Sequence, residues 1–164
     1  MAEATGSAKL IPGFESIVSR YDGFILDQFG VMHNGVMALP GAADCYRKLA
    51  ADGKKIVILS NTSRRAANAQ SKLPGMGFDP AALSGFVSSG EEAYQYIRAH
   101  LKGKTCLFMT WERDANEPGA SFLEGLDVRA APSESADFVL CQGTEVRDDT
   151  TAFRLARSHS GKDT

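Results

Sequence analysis

An α/β fold built on a parallel sheet is what this sequence predicts, and three observations predict it. Gly23-Phe24-Ile25-Leu26-Asp27 is a short apolar run ending in a carboxylate. Lys55-Ile56-Val57-Ile58-Leu59 is a second, ending in Ser60-Asn61-Thr62. Neither alternates apolar with polar residues, which suits strands buried on both faces between layers of helix. Between the two runs Ala42, Cys45, Tyr46 and Leu49 recur at i, i+3, i+4 and i+7, the apolar stripe of one helix. Strand, helix, strand in that order implies a right-handed parallel crossover. The carboxyl ends of both strands then share one edge of the sheet, where open α/β sheets bind ligands, and Asp27 and Ser60 become neighbours.

The other elements follow in order. A polar lead-in, residues 1–20, closes with Pro12-Gly13 and a short helix over Phe14–Ser19. After the first strand, Asn34-Gly35 stands between Val31-Met32 and Val36-Met37, a hairpin signal. Pro40 suits the first turn of the striped helix and Gly53 its C′ position. A helix over Ser63–Met76 is weakened by Pro74-Gly75, and Gly85-Phe86-Val87-Ser88 reads as a third strand. Ser88-Ser89-Gly90-Glu91 fits a capping box, the serine capping and the glutamate reaching back, for a helix running to Leu101. These elements form a first unit over 21–102. A second, over 103–164, holds strands at Thr105–Met109 and Ala136–Cys141, a short helix at Ala120–Glu124, and a last helix from Asp148 to Arg157.

Composition narrows the function classes. The 164 residues are 43% hydrophobic and 23% charged, ordinary for a globular chain long enough to bury a core. A net charge of -2 speaks against a nucleic-acid or anionic-membrane partner. No apolar run approaches the ~18 residues of a membrane span. Met1–Lys9 has neither a signal core nor an arginine-rich amphipathic pattern, so the expected location is cytoplasmic. Cys45, Cys106 and Cys141 are odd in number and far apart, which reads as buried thiols rather than a disulfide framework or a metal site.

Asp27 carries the chemistry. A carboxylate at a strand's carboxyl end serves as a nucleophile, a metal ligand, a helix cap or a plain surface residue. Gly30 allows close backbone approach nearby, and the Ser60 hydroxyl and Asn61 amide are groups that hold phosphate oxygens. Ser60-Asn61-Thr62-Ser63 reads equally as an N-cap cluster, and Arg64-Arg65 as a solvated face. His33 reads as a residue flanking the turn, and His100 as a favourable cation at a helix C-terminus. Trp111, Glu112 and Arg113 read as a loop with one packed indole.

GFILDQFGV, then HNG, then LPGAADCYRKLAADGKKIVILSNTSRR resembles the start of the haloacid dehalogenase superfamily. The likeness is to its class IIA branch, the nitrophenylphosphatase and nucleotide-phosphatase-like hydrolases. KLPGMGFDPAALSGFVSSGEEA resembles the point where that branch leaves its core, and ADFVLCQGTE a strand of its cap. The resemblance implies a partial Rossmann-like parallel-sheet core followed by part of an inserted α/β cap domain. It also implies Mg²⁺-dependent hydrolysis of a small phosphorylated metabolite through an aspartyl-phosphate. Asp27 corresponds to the nucleophile, Ser60 and Asn61 to the phosphate-binding motif, and residue 29 supplies a main-chain carbonyl to the metal. Mg²⁺ is needed because carboxylate and phosphate repel by roughly 4 kcal/mol per unit-charge pair at ~4 Å and an effective dielectric of about 20.

Two features depart from the family pattern. Most of its phosphatases carry a second aspartate, the general acid and base, two residues after the nucleophile, and here Phe29 stands there. Losing that catalysis costs about 10²–10⁴ in rate and least for good leaving groups. The later lysine and acidic motifs have no match up to Thr164, and Asp148-Asp149 reads as a helix N-terminal pair, so the chain is expected to stop within the cap. An impaired or inactive member that at most binds a phosphorylated ligand is the alternative expectation. In that reading Gly23–Asp27 has an open edge and self-association is expected.

Overall fold

The computed structural model describes residues 10–110 and 122–142. Two three-stranded parallel sheets follow one another along the chain. The first contains β1 (Gly23–Leu26), β2 (Lys55–Ser60) and β3 (Leu83–Ser88) in that spatial order. The second contains β4 (Thr105–Met109), β5 (Arg129–Ala130) and β6 (Phe138–Cys141), with β4 in the centre. Helices α1 (Glu15–Val18), α2 (Ala42–Ala51), α3 (Ala66–Gln70) and α4 (Ser89–His100) complete the described elements. No helix among the described residues is long and apolar enough to cross a membrane.

The striped helix forms as its pattern predicts. Tyr46 and Leu49 of α2 are buried, and Ala42 and Cys45 pack beside them against Ile56, Ile58 and the edges of Phe24 and Leu26. Pro40 lies just outside the helix, whose N-cap is Gly41, and Gly53 follows the C-cap with φ 70°. Leu73 and Phe78, from the segment after α3, close the same core. Tyr46 and Phe78 meet edge-on at 5.4 Å, and the Tyr46 hydroxyl donates to the Asp79 carbonyl at 2.7 Å. That bond lets a tyrosine be buried without an unpaired polar atom. Burial also pushes the phenol pKa up.

The strands are not buried on both faces. Ile56 and Ile58 face α2 and are wholly buried, whereas Ile25 and Leu59, on the opposite face, are 71% and 52% exposed. Val57 and Val87 on that opposite face are half-buried, so an unbroken apolar run here marks one fully buried and one partly open face. Three further expectations are corrected. The helix expected over Ser63–Met76 shrinks to α3, followed by a 3₁₀ turn at Pro74–Met76, because proline ends the ladder. The hairpin at Asn34-Gly35 is a compact loop with single bridges, Phe29 to His33 and His33 to Ala38, rather than a two-strand ladder. Asn34 Oδ1 accepts from the Val36 and Met37 N–H groups, and it supplements the backbone bonds Asn34 N–H to Met37 O and Leu39 N–H to Met32 O. Phe122–Gly125 forms turns, not a helix. The helix expected at Asp148–Arg157 lies outside the described residues.

A second core joins α4 to the second sheet through Tyr94, Ile97 and Phe122, with Phe108, Phe138 and Leu140 around them. β5, two residues long, carries no period for a sequence to show. Because Ile58 is wholly buried at the centre of the first core, Ile58→Ala is expected to cost about 2–5 kcal/mol. Urea denaturation of the two proteins measures it.

Candidate active site

Parallel register brings the two marked strand ends together. Leu26 pairs with Ile58, so Asp27 falls in line with Leu59, and Ser60 lies one residue further along the same edge. Asp27 is exposed, and its Oδ1 accepts from the Gln28 N–H at 2.7 Å. Ser60 is 8% exposed.

The chain after Asp27 winds around one carbonyl. Gln28 O accepts from the N–H groups of Met32 (2.8 Å) and His33 (3.1 Å), and Val31 N–H approaches it at 3.3 Å. Gly30, at φ 80°, adopts a left-handed turn that favours glycine, and its N–H donates to His33 O at 2.9 Å. That N–H is therefore engaged within the loop, and Gly30 contributes shape rather than a donor. Phe29 is 70% exposed, with its ring over Gly35. His33 Nδ1 accepts from the Gly35 N–H at 3.1 Å, which leaves the proton of the neutral ring on Nε2. Burial lowers the His33 pKa and outweighs the Asp27 charge, which acts the other way. His33 is thus the turn-flanking residue expected, set within reach of the Asp27 field.

The exposed Asp27 carboxylate is one oxygen donor of the kind a hydrated Mg²⁺ accepts. That ion takes one or two carboxylates plus phosphate oxygens and keeps several waters. Asp27 offers a carboxylate there, and residue 29 a carbonyl two positions on. Among the described residues no group of three His, Cys, Asp or Glu side chains is placed to hold a metal.

The turn after β2 is held from outside. Its own side-chain bonds are long: Thr62 N–H to Ser60 Oγ is 3.3 Å and Arg64 N–H to Thr62 Oγ1 is 3.4 Å. The first turn of α4 grips it instead. Ser88 Oγ donates to Arg64 O at 2.8 Å, and Ser89 Oγ lies 2.9 Å from both Asn61 O and Thr62 O. Gly90 N–H donates to Thr62 O at 3.1 Å. A Cβ on Gly90 would stand 2.2 Å from Ser63 O, so only glycine lets these two backbones meet. Ser60–Ser63 caps no helix, since α3 begins at Ala66 with no side-chain cap.

Arg65 is not on a solvated face. Its Nε donates to Glu91 Oε2 at 2.7 Å and its Nη2 to Oε1 at 3.2 Å, a two-pronged pair with 29% and 19% side-chain exposure. The guanidinium also lies 3.3 Å from the centre of the Tyr94 ring. Half of the expected capping box forms. Ser88 Oγ accepts from Glu91 N–H, but the Glu91 carboxylate turns to Arg65 and the Ala66 N–H rather than back to its own cap. The hydrogen bond from Arg65, with help from Gln95 and the Ala66 N–H, lowers the Glu91 pKa to about 2. Sequence reasoning missed this contact, whose partners stand 26 residues apart with no local signal. Trp111, Glu112, Arg113 and His159 lie outside the described residues.

A sequence profile of the haloacid dehalogenase-like hydrolases matches residues 24–120, more than half of the chain. The chain belongs to that family. Human chronophin is 32% identical over 121 residues, which are 70% of this chain and 38% of chronophin. A haloacid dehalogenase-like hydrolase from Brucella suis superposes with a TM-score of 0.70 at 25% identity, over 89% of this chain and 55% of that one. A p-nitrophenyl phosphatase from Archaeoglobus fulgidus shares the fold, with a TM-score of 0.62 at 20% identity, over 84% and 52%. The chain spans well under two thirds of each of these relatives.

Two expectations follow from this geometry. Gly90→Ala must push the Ser63–Arg64 backbone away, at a cost of about 1–3 kcal/mol, read as a lower urea midpoint. The Glu91 pKa is depressed on folding, from 4.5 to about 2. Its stabilisation is therefore complete above pH 4.5 and lost as pH falls through about 2. Acid titration of stability should show this component in the wild type and lack it in Glu91→Gln.

Proposed function

We propose that the protein is a Mg²⁺-assisted phosphomonoesterase in which Asp27 is the nucleophile and the Ser60–Asn61 turn binds the phosphoryl group. The observation that carries the reading is the register that puts Asp27 beside Leu59 and Ser60 one residue further along the carboxyl edge of a parallel sheet, in a chain of this family. An Asp27 oxygen attacks phosphorus, a P–O bond forms, and the ester P–O bond breaks to release the substrate's alkoxide or aryloxide. Water then attacks the phosphorus of the acyl-phosphate, and inorganic phosphate leaves as the carboxylate is restored. The Ser60 hydroxyl and the Asn61 amide donate to phosphoryl oxygens and orient them. A divalent cation held by the Asp27 carboxylate and the carbonyl of residue 29 would offset the charge between nucleophile and phosphate.

Phe29 sets the substrate range. It has no proton to give, so the leaving group departs as an anion or takes its proton from water. Phosphate esters of acidic alcohols such as phenols suit that constraint, and alkyl phosphates turn over slowly. Small phosphorylated molecules are the proposed substrates.

The test is phosphate release from p-nitrophenyl phosphate with Mg²⁺. Asp27→Asn is expected to lower the rate by about 10²-fold or more, and Ser60→Ala to raise KM. Phe29→Asp is expected to raise turnover of an alkyl phosphate, by up to about 10²-fold. Equal rates for wild type and Asp27→Asn overturn the proposal.

A further inference from the structure

We propose that Glu91 is a positioning residue for the phosphate-binding turn. Through its ion pair with Arg65 it holds residues 60–65 in the shape that presents Ser60 and Asn61. This inference rests on the reading of that turn as the phosphate site.

Three observations carry it. First, the turn lacks strong bonds of its own and takes its shape from α4. The Ser88, Ser89 and Gly90 contacts pin carbonyls at 61, 62 and 64, and Glu91 pins the far end by bonding both Arg65 and the Ala66 N–H. Glu91 supplies the charged contact, and charge-assisted, two-pronged pairs are the strongest and most directional hydrogen bonds of a protein. Second, Arg65 is consumed by this role. Its guanidinium is engaged at Nε and Nη2 by Glu91 and lies over the Tyr94 ring, so its charge is neutralised within the protein rather than offered to an anion. Third, the same helix face continues into the second sheet's core. The Tyr94 hydroxyl donates to Glu124 O at 3.0 Å, its ring meets Phe122 edge-on at 6.0 Å, and a Cβ on Gly125 would stand 2.7 Å from the hydroxyl. Glu91, Arg65 and Tyr94 therefore tie the turn to a packed helix that is itself anchored on both sides.

An opposite role for the pair gives an opposite sign. Were Arg65 a phosphate ligand restrained by Glu91, removing the carboxylate would free it and tighten anion binding. Were Glu91 merely part of the packing, its loss would loosen the whole protein alike.

The experiment compares wild type, Glu91→Ala, Glu91→Gln and Tyr94→Phe. It measures amide hydrogen exchange at residues 61–65 against β4 and β6, and calorimetric binding of inorganic phosphate with Mg²⁺. Glu91→Ala is expected to speed exchange at 61–65 about tenfold or more and to weaken phosphate binding by a similar factor, with β4 and β6 little changed. Glu91→Gln, which keeps an acceptor for the Ala66 N–H, is expected to fall between, and Tyr94→Phe to leave phosphate binding within about twofold, since the ring stays under Arg65. Tighter binding in Glu91→Ala, unchanged exchange at 61–65, or uniformly faster exchange across both sheets overturns the proposal. If the wild type itself binds no phosphate, the proposed function fails, and exchange at 61–65 still decides whether Glu91 holds the turn.

Discussion

Parallel pairing of β1 with β2 is the constraint on which the site depends. Residues 27 and 60 are far apart in the chain, and neither is reactive in isolation. One in-register ladder, Gly23 to Lys55 through Leu26 to Ile58, sets the two strand ends level. The ladder in turn depends on α2, whose apolar stripe buries Ile56 and Ile58. A parallel pair cannot be closed by a tight turn, so the crossover helix is both the connection and the cover for the sheet. Slipping the register by one residue would turn the two isoleucines to the opposite face and change which residue of β2 stands beside Asp27.

Two loops held in different ways result. The Asp27 side is a loop wound on a single carbonyl, Gln28 O, and its bonds are local. The Ser60 side is a loop that borrows its shape from α4. The grip is tight where backbones meet at Gly90 and charged where Glu91 meets Arg65.

The open face of the first sheet has a counterpart around the site. Ile25, Leu59, Phe29, Val36 and Met37 are all more than half exposed. Patches of this kind are uncommon on isolated surfaces and accompany interfaces or further packing. Within the described residues the sheet has one fully buried and one partly open face, which places Asp27 at an accessible rim instead of a closed cavity. Phe29, itself largely exposed, adds an apolar side chain to that rim.

By itself the sequence determined the local matters. Apolar runs, the i, i+3, i+4 stripe of α2, and punctuation by Pro and Gly are read within a window of ten residues. All strands but β5, together with α2, α4 and the two marked strand ends, were legible for that reason. The placement of Asp27 and Ser60 at neighbouring strand ends and the family itself were legible too, because motif and element coincide. Tertiary structure decided what depends on partners far along the chain. An apolar run does not say how many of its faces are covered, so the one-sided burial of β1 and β2 came only with the fold. A serine and a glutamate three apart predict a capping box, yet Glu91 turns away from its own helix because Arg65 offers a stronger, charged partner. Arg65 itself read as a solvated face, since nothing in its neighbourhood announces a carboxylate 26 residues later. What holds the Ser60–Arg65 turn in place is therefore a property of packing, while the residues that it presents there are written in the sequence.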